Sequence, residues 1–521
     1  MKKFNPKILL IMPRSGLIDK PDYNYSFALG LAYISAVLKK EGYNVDCLNF
    51  NHLNGTIDSL VISHIKNKNY NFIGFGHNAL SYSVIESMII SIRKHSPNSK
   101  IILGGPIITT ESELMFKSLK PDVAVLGEGE KTILELIKCL MDKKDLSKIK
   151  GIGYRNEFGK ICFTEKREVV QDLDSLPYPD FEGFDFKKKV ENTPLSEYPI
   201  LASRGCPFSC SFCYHEGRYR LRGMKEVFKE LNIAVKKYRT NMILLYDDCF
   251  AMDKKRLLEF CDGIKKLKSE ISWDLKWSPQ LTVHSVDGDL LKIMKEAGCE
   301  LISYGFESFS PIVLKSMGKP ITPQQIDNAI KETLKAKIAI QANFIFGDIA
   351  ETKETAEETL NYWKNHCKGQ VNLTLIEPYP GSRIYDYCVK KGIIKDKLFF
   401  IKHQMGRIFY TDFNMSSMNN KDFEKFKRKM VNYKFKYSGI GKIPVVNGNQ
   451  LKVTCPFCKK RITYENIRFE NHWIYNFYVV CKNCKMRFYA ISDLKKAVLP
   501  IYNLVKPLYE IYLNIKRNLA K

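Results

Sequence analysis

Short apolar runs alternate with amphipathic segments through the first 143 residues of this 521-residue chain. The five apolar runs cover residues 7–12, 44–50, 71–76, 100–103 and 123–126. Between them, apolar residues recur at helical spacing, for example over residues 28–41 and 81–95. This alternation predicts an α/β domain with a doubly wound parallel sheet of flavodoxin-like order, whose ligands bind at the carboxyl ends of the strands.

The same alternation returns over residues 199–380. The apolar runs there cover residues 199–203, 242–246, 276–280, 301–306, 338–346 and 371–377. Helical patterns separate them, for example over residues 224–237, 253–267 and 352–366. Six strand–helix units predict a partial (β/α)6 barrel, in which catalytic groups come from loops at the carboxyl ends of the strands.

The remaining segments are less regular. Residues 144–198 are predicted to be a connector, because they hold a hairpin-like stretch at 151–170 and two prolines, Pro177 and Pro179, that disfavour helix. Residues 381–450 form a basic extension of mixed pattern, and residues 451–490 hold a small cysteine-containing module. Residues 491–521 carry apolar residues at helical spacing and predict a C-terminal amphipathic helix.

The formal net charge of +26 is unevenly distributed along the chain. Residues 381–521 hold 29 Lys or Arg residues against 9 Asp or Glu residues. An excess of this kind attracts nucleic acid, an anionic membrane surface, an acidic electron donor or an acidic substrate, and charge alone does not choose among them.

The 15 cysteines favour a reducing compartment over a disulfide framework. Seven fall in two groups with metal-ligand spacing, and the other eight are expected to be buried free thiols. The apolar run before Pro13 and Arg14 is too short for a signal-peptide core. No run of 18 apolar residues predicts a transmembrane helix, so a cytoplasmic protein, at most peripheral at a membrane, is expected.

The first cysteine group carries most of the functional information. Cys206, Cys210 and Cys213 are spaced C-x3-C-x2-C, with Phe212 just before the last cysteine. Three thiolates can hold three irons of a [4Fe–4S] cluster and leave the fourth iron open to a substrate. The alternative is three unrelated loop thiols. The motif resembles that of the radical S-adenosylmethionine (SAM) superfamily.

The resemblance implies a mechanism and its cofactors. SAM fills the open iron site, and an electron from a flavodoxin- or ferredoxin-type donor cleaves it to methionine and a 5′-deoxyadenosyl radical. That radical abstracts hydrogen from an unactivated carbon of the substrate. The substrate itself, whether a small molecule or lipid-like, is not readable from the chain.

Further positions match the superfamily in order along the chain. The resemblance implies that Asp247 or Asp248 holds the SAM amino group, that Glu307 or Ser308 lies near its ribose or carboxylate, and that Tyr214 and Gly347 border its adenine. Each of two positions has a simpler alternative. Asp247 and Asp248 could be solvated loop acids, and, independently, Glu351 and Thr352 beyond Gly347 could simply begin a helix.

The front domain resembles the cobalamin-binding domain that precedes many barrels of this superfamily. The resemblance implies a corrin at the carboxyl ends of the strands, near Gly104, Gly105, Gly127 and the 77–81 loop. The D-x-H-x-x-G motif, which supplies an axial histidine to cobalt, is absent. His77, with Ser81 in the same loop, either faces the corrin or is a hydrogen-bonding loop histidine.

The second cysteine group has the spacing C-x2-C-x22-C-x2-C, formed by Cys455, Cys458, Cys481 and Cys484. Four thiolates on two knuckles predict a closed, structural zinc ribbon, with rubredoxin-type iron or an auxiliary cluster as alternatives. The surroundings are basic, and the aromatic residues there would either stack on nucleic-acid bases or form the ribbon's own core. These aromatic residues are Tyr464, Phe469, Trp473 and Phe488. The terminal helix would either dock on the protein or lie at a membrane interface.

Together these features predict a radical SAM enzyme that transfers a methyl group, with cobalamin, to an unactivated carbon or to phosphorus. Three alternatives remain: a radical cyclase, oxidase or rearrangement enzyme, a nucleic-acid-modifying enzyme using the basic ribbon, and a nucleic-acid-binding protein with a vestigial barrel. A tRNA methylthiotransferase is disfavoured, because the front domain offers only Cys47 and Cys139, far apart in sequence, for a second cluster.

Overall fold

The structure is a computed structural model. It describes residues 5–17, 19–193, 195–367, 369–407, 413–437, 439–447, 450–464 and 476–491. Phe469, Trp473 and the terminal helix predicted from residue 491 onward therefore lie outside the described residues, apart from residue 491 itself.

The front domain is built on one twisted sheet. Its strands are β1 (Lys7–Met12), β2 (Asn44–Asn49), β3 (Phe72–Gly76), β4 (Lys100–Gly104), β5 (Val123–Val125), β6 (Ile152–Arg155) and β7 (Ile161–Phe163). Its helices are α1 (Leu29–Lys40), α2 (Ile57–His64), α3 (Tyr82–His95), α4 (Pro106–Thr109), α5 (Ser112–Leu119) and α6 (Glu130–Met141). The order β2-β1-β3-β4-β5, all parallel, confirms the flavodoxin-like prediction.

The hairpin predicted at 151–170 belongs to this sheet. β6 pairs antiparallel with β5, with Val123 opposite Tyr154, and β7 continues the sheet at its edge. This part of the predicted connector thus belongs to the front-domain sheet, and α7 (Phe186–Glu191) follows it along the chain.

The barrel contains six parallel strand positions in the described residues, one of which is divided into two short strands. Its strands are β8 (Glu197–Ile200), β11 (Met242–Leu245), β12 (Lys276–Ser278) with β13 (Gln280–Leu281), β14 (Leu301–Glu307), β15 (Ala339–Phe346) and β16 (Val371–Leu375). Two short antiparallel strands, β9 (Ser203–Arg204) and β10 (Arg220–Leu221), bracket the first cysteine group. The barrel helices are α8 (Met224–Tyr238), α9 (Lys254–Ser269), α10 (Gly288–Glu296), α11 (Pro311–Ser316), α12 (Pro323–Lys335) and α13 (Lys353–His366). The parallel pairings confirm the partial (β/α)6 barrel.

The third barrel strand is interrupted between β12 and β13. Pro279 lies at the break, where it cannot donate a ladder hydrogen bond. A bridge between Trp277 and Cys299 connects β12 to the chain just before β14, so the barrel continues across the break.

The extension after the barrel connects all parts of the molecule. It contains α14 (Arg383–Lys390), α15 (Lys397–Phe399), a π-helix (Phe400–Gln404) and α16 (Asn420–Tyr437). Lys397 Nζ lies 2.8 Å from Glu111 Oε1 and Lys402 Nζ lies 2.7 Å from Glu86 Oε1, so the extension is paired to the front domain. A search of the described helices finds none that could span a membrane.

The C-terminal ribbon is a sheet of order β19-β18-β17-β21-β20 within the described residues. Its strands are β17 (Ile440–Asn447), β18 (Gln450–Thr454), β19 (Arg461–Tyr464), β20 (Asn476–Val480) and β21 (Arg487–Ile491). The boundary predicted at residue 451 cuts this sheet, because β17 is its central strand and joins the two hairpins. The apolar pattern of β17 does not announce this pairing partner.

Candidate active site between the front domain and the barrel

The first cysteine group lies on the loop that follows the first barrel strand. Gly205 has φ +77°, and a Cβ there would lie 2.7 Å from Arg218 O, so the turn into the loop requires glycine. Ser211 N donates to Met317 O at 2.8 Å, and Ile384 N donates to Ser211 O at 2.9 Å. The ends of α11 and α14 therefore hold the loop in place.

The three thiols suit a multi-iron cluster better than a single ion. Cys206 and Cys210 are half-buried and Cys213 is exposed. Unlike the ribbon cysteines, they do not form a group whose sulfur atoms all lie within 4.8 Å of one another among the described residues. A cluster binds each thiolate at a different iron, so wider spacing fits it. Although Cys213 is exposed as a residue, desolvation of its thiol by the surrounding protein raises the pKa to about 12, and a coordinating metal deprotonates such a thiol.

The two aspartates after β11 have different surroundings. Asp247 is fully buried, accepts a hydrogen bond from Ala202 N at 3.2 Å and another from Ser203 Oγ, and burial raises its pKa to about 6. Asp248 is exposed, and its charge acts, after burial, to raise the pKa of Cys213. Asp247 therefore holds the first strand's loop, whereas Asp248 is exposed and lies close enough to Cys213 for its charge to act on that thiol.

Glu307 and Ser308 also point in different directions. Glu307 ends β14 with φ 62°, at a register shift after Gly305, and its Oε1 lies 3.0 Å from Lys319 Nζ. Ser308 is buried and its hydroxyl lies 3.2 Å from Thr359 Oγ1. Ser308 thus faces helix α13, whereas Glu307 pairs with Lys319, and the charges of both act on Cys210.

Lys319 is a site residue that sequence reasoning missed. Its ammonium acts, after burial, to lower the pKa of Cys210, and it also contributes at Cys206. The signal in the sequence is the short turn Met317-Gly318-Lys319, where Gly318 has φ +64°. Nothing in the C-x3-C-x2-C motif indicates that this turn would reach the cysteine loop.

The fifth strand ends in a buried carboxyl pair. Gly347 has φ +99° and its amide donates to Glu351, and Asp348 and Glu351 are both fully buried. Burial raises the pKa of Glu351 to about 8. Thr352 caps α13 through Thr355, which confirms the helix-start alternative for Thr352, whereas Glu351 turns back toward Gly347.

Loops from both domains meet above the cysteines. Gly381 has φ +87°, and a Cβ there would lie 2.8 Å from Tyr214 and 2.9 Å from Thr110 of the front domain. A Cβ on Gly127, φ +78°, would lie 2.8 Å from Glu216 Oε1. The carboxyl-end loops of the front sheet therefore lie against the carboxyl-end loops of the barrel.

His77 hydrogen-bonds within its own loop. Its Nδ1 lies 2.7 Å from Ser81 Oγ, and burial lowers the pKa of His77, which favours the neutral ring. Ile107 N donates to His77 O at 2.9 Å, and a Cβ on Gly105 would lie 3.1 Å from that same oxygen. A Cβ on Gly76 would in turn meet Gly104 O. The glycines therefore allow the carboxyl ends of β3 and β4 to approach each other closely.

A buried ion-pair network joins the front domain to the cysteine loop. Glu128 Oε1 lies 3.2 Å from Arg204 Nη1 and 2.9 Å from Arg220 Nη2, and Glu130 Oε1 lies 2.7 Å from Arg204 Nη2. All four side chains are at most 15% exposed. Burial acts to raise the pKa of Glu128, but the neighbouring Arg220 and Arg204 outweigh it and lower that pKa.

The ribbon cysteines lie far from this site in the fold. Cys455, Cys458, Cys481 and Cys484 converge on one point, as predicted, but the ribbon contacts the opposite end of the barrel, where the strands begin. The three loop cysteines, the carboxylates after β11 and β14, and the front-domain loops form one site, and the ribbon is not part of it.

Family models match both halves of this site. The model of the radical SAM superfamily matches residues 200–362, and the model of the B12 binding domain matches residues 22–137. An uncharacterized methyltransferase from Pyrococcus horikoshii is 30% identical over 399 residues, covering 74% of this chain and 84% of that protein. The chain belongs to the radical SAM superfamily, in a form that carries a B12-binding domain. Such an enzyme uses a [4Fe–4S] cluster, SAM and cobalamin.

Other proteins are similar to this chain at lower identity. An anaerobic magnesium-protoporphyrin IX monomethyl ester cyclase of Rubrivivax gelatinosus is 29% identical over 272 residues, which is 51% of this chain and 48% of that enzyme. The solved structure of the radical SAM methyltransferase TsrM from Kitasatospora setae, with cobalamin and a [4Fe–4S] cluster, has TM-score 0.62 and 15% identity and covers 74% of this chain and 75% of its own. The cobalamin-dependent radical enzyme OxsB has TM-score 0.59 and 20% identity, over 84% of this chain and 62% of its own. These likenesses show the shared fold.

Proposed function

We propose that this protein is a cobalamin-dependent methyltransferase that adds a methyl group to an unactivated carbon or to phosphorus of a small or lipid-like substrate. The observation that carries the proposal is the juxtaposition of the two carboxyl edges. The front-domain loops at Thr110 and Gly127 contact the barrel loops at Gly381 and Glu216. Ligands of both folds bind at those edges, so a methyl carrier and a radical source would share one cavity.

The residues of this chain would divide the work as follows. Cys206, Cys210 and Cys213 would hold the cluster, Asp248 would accept the ammonium of SAM, and the Glu307–Lys319 pair would border the same pocket. When bound, the cluster and SAM supply a 5′-deoxyadenosyl radical, and cobalamin supplies a methyl carrier. The closed loops would keep water from the radical.

The residues at the carboxyl edge of the front sheet support a cobalamin site. The D-x-H-x-x-G motif is absent, and the hydrogen bond between His77 Nδ1 and Ser81 Oγ fixes the orientation of the His77 ring. Gly104, Gly105 and Gly127 lie at the edge where the corrin and its tail would bind, and they let the neighbouring loops approach one another there. The proposal therefore places Ser81 and His77 among the residues that would contact the corrin.

The products of SAM distinguish methyl transfer from other radical chemistry. Methyl transfer from SAM leaves S-adenosylhomocysteine, whereas one-electron cleavage leaves methionine and 5′-deoxyadenosine. A methyl transfer that also needs a substrate radical consumes one SAM in each way. Anaerobic protein, supplied with cobalamin, flavodoxin or a chemical reductant, methyl-labelled SAM and a small-molecule extract, should therefore form both products and a labelled third compound.

Cys210→Ala is expected to abolish 5′-deoxyadenosine, and Cys162→Ala, a half-buried thiol of the front domain, is the matched control. Formation of 5′-deoxyadenosine without S-adenosylhomocysteine or transferred label would reject methyl transfer. That result would favour the second candidate, a cyclase or rearrangement enzyme, which the similarity to the magnesium-protoporphyrin ester cyclases supports. A net charge of +26 favours an acidic electron donor in either case.

A further inference from the structure

The ribbon is bound to the floor of the barrel, the end where the strands begin. Gln370, directly before β16, is fully buried; its Nε2 donates to Arg487 O at 2.6 Å and its Oε1 accepts from Arg487 N at 2.8 Å. Lys485, next to Cys484, lies 3.4 Å from Glu300 Oε1, directly before β14. The side chain of Gln370 thus pairs with the ribbon backbone as a neighbouring strand would.

The four ribbon sulfur atoms have the spacing of a single tetrahedral ion. Cys455 Sγ lies 3.7 Å from Cys484 Sγ, and Cys458 Sγ lies 3.7 Å from Cys481 Sγ. Zinc–sulfur bonds of about 2.3 Å place the corners of a tetrahedron about 3.8 Å apart. All four sulfur atoms lie within 4.8 Å of one another, which leaves room for one ion and none for a multi-iron cluster.

The two knuckles are also built alike. Lys459 N donates to Cys455 O at 3.0 Å and Lys485 N donates to Cys481 O at 2.9 Å. Both lysines have a left-handed backbone conformation, with φ 62° and 61°. Each knuckle closes with a second bond of 2.9 Å, from Cys455 N to Lys460 O and from Cys481 N to Met486 O. Two separate chain segments therefore present their thiols in the same way, which a chance meeting of cysteines would not produce.

Three of the ribbon's exposed lysines form hydrogen bonds within the protein. Lys459 Nζ donates to Pro456 O at 2.7 Å, Lys460 Nζ to Asn483 Oδ1 at 3.0 Å, and Lys482 Nζ to Thr463 O at 2.9 Å. Of the aromatic residues considered for base stacking, Phe488 is fully buried and Tyr464 donates to Val480 O at 2.8 Å. These described residues form the ribbon's core and hold its knuckles.

We propose that the four cysteines bind one structural zinc ion, and that the ribbon acts as a zinc-dependent clamp that holds the amino ends of β14 and β16. The ribbon then has no direct contact with a substrate at the opposite end of the barrel. This inference does not depend on the proposed methyl transfer, because it concerns the other end of the barrel.

The first test measures metals in the full-length protein. Anaerobic protein should contain about one zinc ion per chain beside its cluster iron. Cys458→Ser should lose that zinc, keep the cluster absorbance and its yield of 5′-deoxyadenosine to within about twofold, and unfold at a lower temperature. Iron in place of zinc, no zinc, or loss of the cluster with Cys458→Ser would overturn the proposal.

A second variant tests the clamp if Cys458→Ser does not fold. Gln370→Ala keeps the thiols but removes both bonds to Arg487, and should lower the Tm by about 3 to 8 °C with zinc retained. Gln324→Ala, which removes an exposed helix glutamine bonded to Asn328, is the control and should leave the Tm unchanged. Equal Tm values for the two variants would reject the clamp. Binding of a mixed-sequence single-stranded RNA that Lys482→Ala weakens would reject it as well, in favour of a nucleic-acid surface.

Discussion

The two ends of the barrel carry cysteine sites of different kinds: one at the mouth, the end where the strands finish, and one at the floor, the end where they begin. At the mouth, three thiols are spread over a loop, and the charges of Asp248, Glu307 and Lys319 act on their pKa values. Glu351, whose pKa is strongly raised, is buried after β15 at the same end of the barrel. At the floor, four thiols converge within 4.8 Å, and the nearby Glu300 has three lysine partners. Three thiolates at the mouth would leave one iron of a cluster without a protein ligand, as a reactive site requires. Four thiolates at the floor would complete the coordination of one ion, as a structural site requires.

Position in the barrel reinforces this difference. Loops at the carboxyl ends of parallel strands are free to vary and to bind ligands, whereas the amino ends mainly support stability. The front domain covers the mouth through Glu128 and Arg204, and the ribbon covers the floor through Gln370 and Arg487. Each added domain therefore takes its role from the end of the barrel that it contacts.

Combining one cysteine change at each end tests whether the two sites are independent, and gives the largest expected effect. Cys213→Ala should abolish the cluster and 5′-deoxyadenosine formation with zinc retained, because only two thiolates would remain in the loop. Added to Cys458→Ser, its effects on metal content and on Tm should sum, since the sites share no partners. A Tm loss well beyond the sum would show that the two ends are coupled and would contradict the comparison.

The second-largest expected effect is a loss of stability when the ion-pair network between the front domain and the cysteine loop is broken. Glu128→Gln leaves Arg220 and Arg204 short of one buried carboxylate, so we expect a loss of about 3 kcal/mol in the free energy of unfolding. Hydrogen exchange should also increase across residues 206–216, because Arg204 precedes that loop.

Glu135→Gln is the control for this junction. Glu135 is 51% exposed and pairs with Arg167, so its loss should cost about 0.5 kcal/mol or less. Equal costs for the two variants would show that the network between the domains does not hold the cysteine loop.

The adjacent aspartates separate ligand binding from folding within the mouth. Asp248→Ala should weaken SAM binding by about 10- to 100-fold, the value of a charge-assisted hydrogen bond, with little change in stability. Asp247→Ala should lower the free energy of unfolding by about 1–3 kcal/mol, because the Ala202 amide and the Ser203 hydroxyl lose their acceptor. Isothermal titration with SAM and urea unfolding measure the two effects, and exchanged outcomes would reverse the assignment of the carboxylates.

The smallest expected effect is a pH dependence from the mouth carboxyls. Burial raises the pKa of Glu351 from 4.5 to about 8, so the folded state holds a proton that the unfolded state releases between those values. Stability should therefore be present below about pH 4.5 and decline as the pH rises to about 8. Glu377 and Asp247, with pKa values raised to about 7 and about 6 by burial, act in the same direction.

Glu351→Gln should flatten this decline by on the order of 1–3 kcal/mol at pH 8, measured by urea unfolding at pH 5 and pH 8. Glu358→Gln, on the exposed face of α13, is the matched control. An unchanged slope with Glu351→Gln would show that Glu351 ionises freely in the folded protein.

Strands buried on two faces were predictable because such burial leaves a continuous apolar run, and β1 and β4 lie within a residue of the predicted limits for this reason. β15 also lies within a residue of its predicted limits, although Gln341 and Asn343 are exposed within its apolar pattern. The hairpin of β6 and β7 and the strand β17 were assigned to other segments, because pairing partners distant in sequence leave no mark on local periodicity.

Among the site residues, the cysteines were predictable and their charged neighbours were not. Cys206, Cys210 and Cys213 lie within one loop, so their spacing alone indicates a common ligand. Lys319 and Glu128 reach that loop from 106 and 78 residues away from Cys213 and Cys206 along the chain, respectively. Two carboxylates adjacent in sequence, Asp247 and Asp248, look equivalent until the fold buries one of them.

The sequence by itself determined the ligand sets, because short spacings keep the three thiols of the first group together and keep the thiols within each pair of the second group together. The repeated C-x2-C spacing of those two pairs predicted a four-thiol site. Only the tertiary structure decided that the three lie under the front domain and the four lie at the far end of the barrel. Packing between distant segments makes that choice, since it depends on burial and charge pairing summed over contacts such as Glu128 with Arg204 and Gln370 with Arg487. The metal-binding residues could therefore be read from local sequence, whereas the end of the barrel at which each set lies is decided by contacts between distant segments.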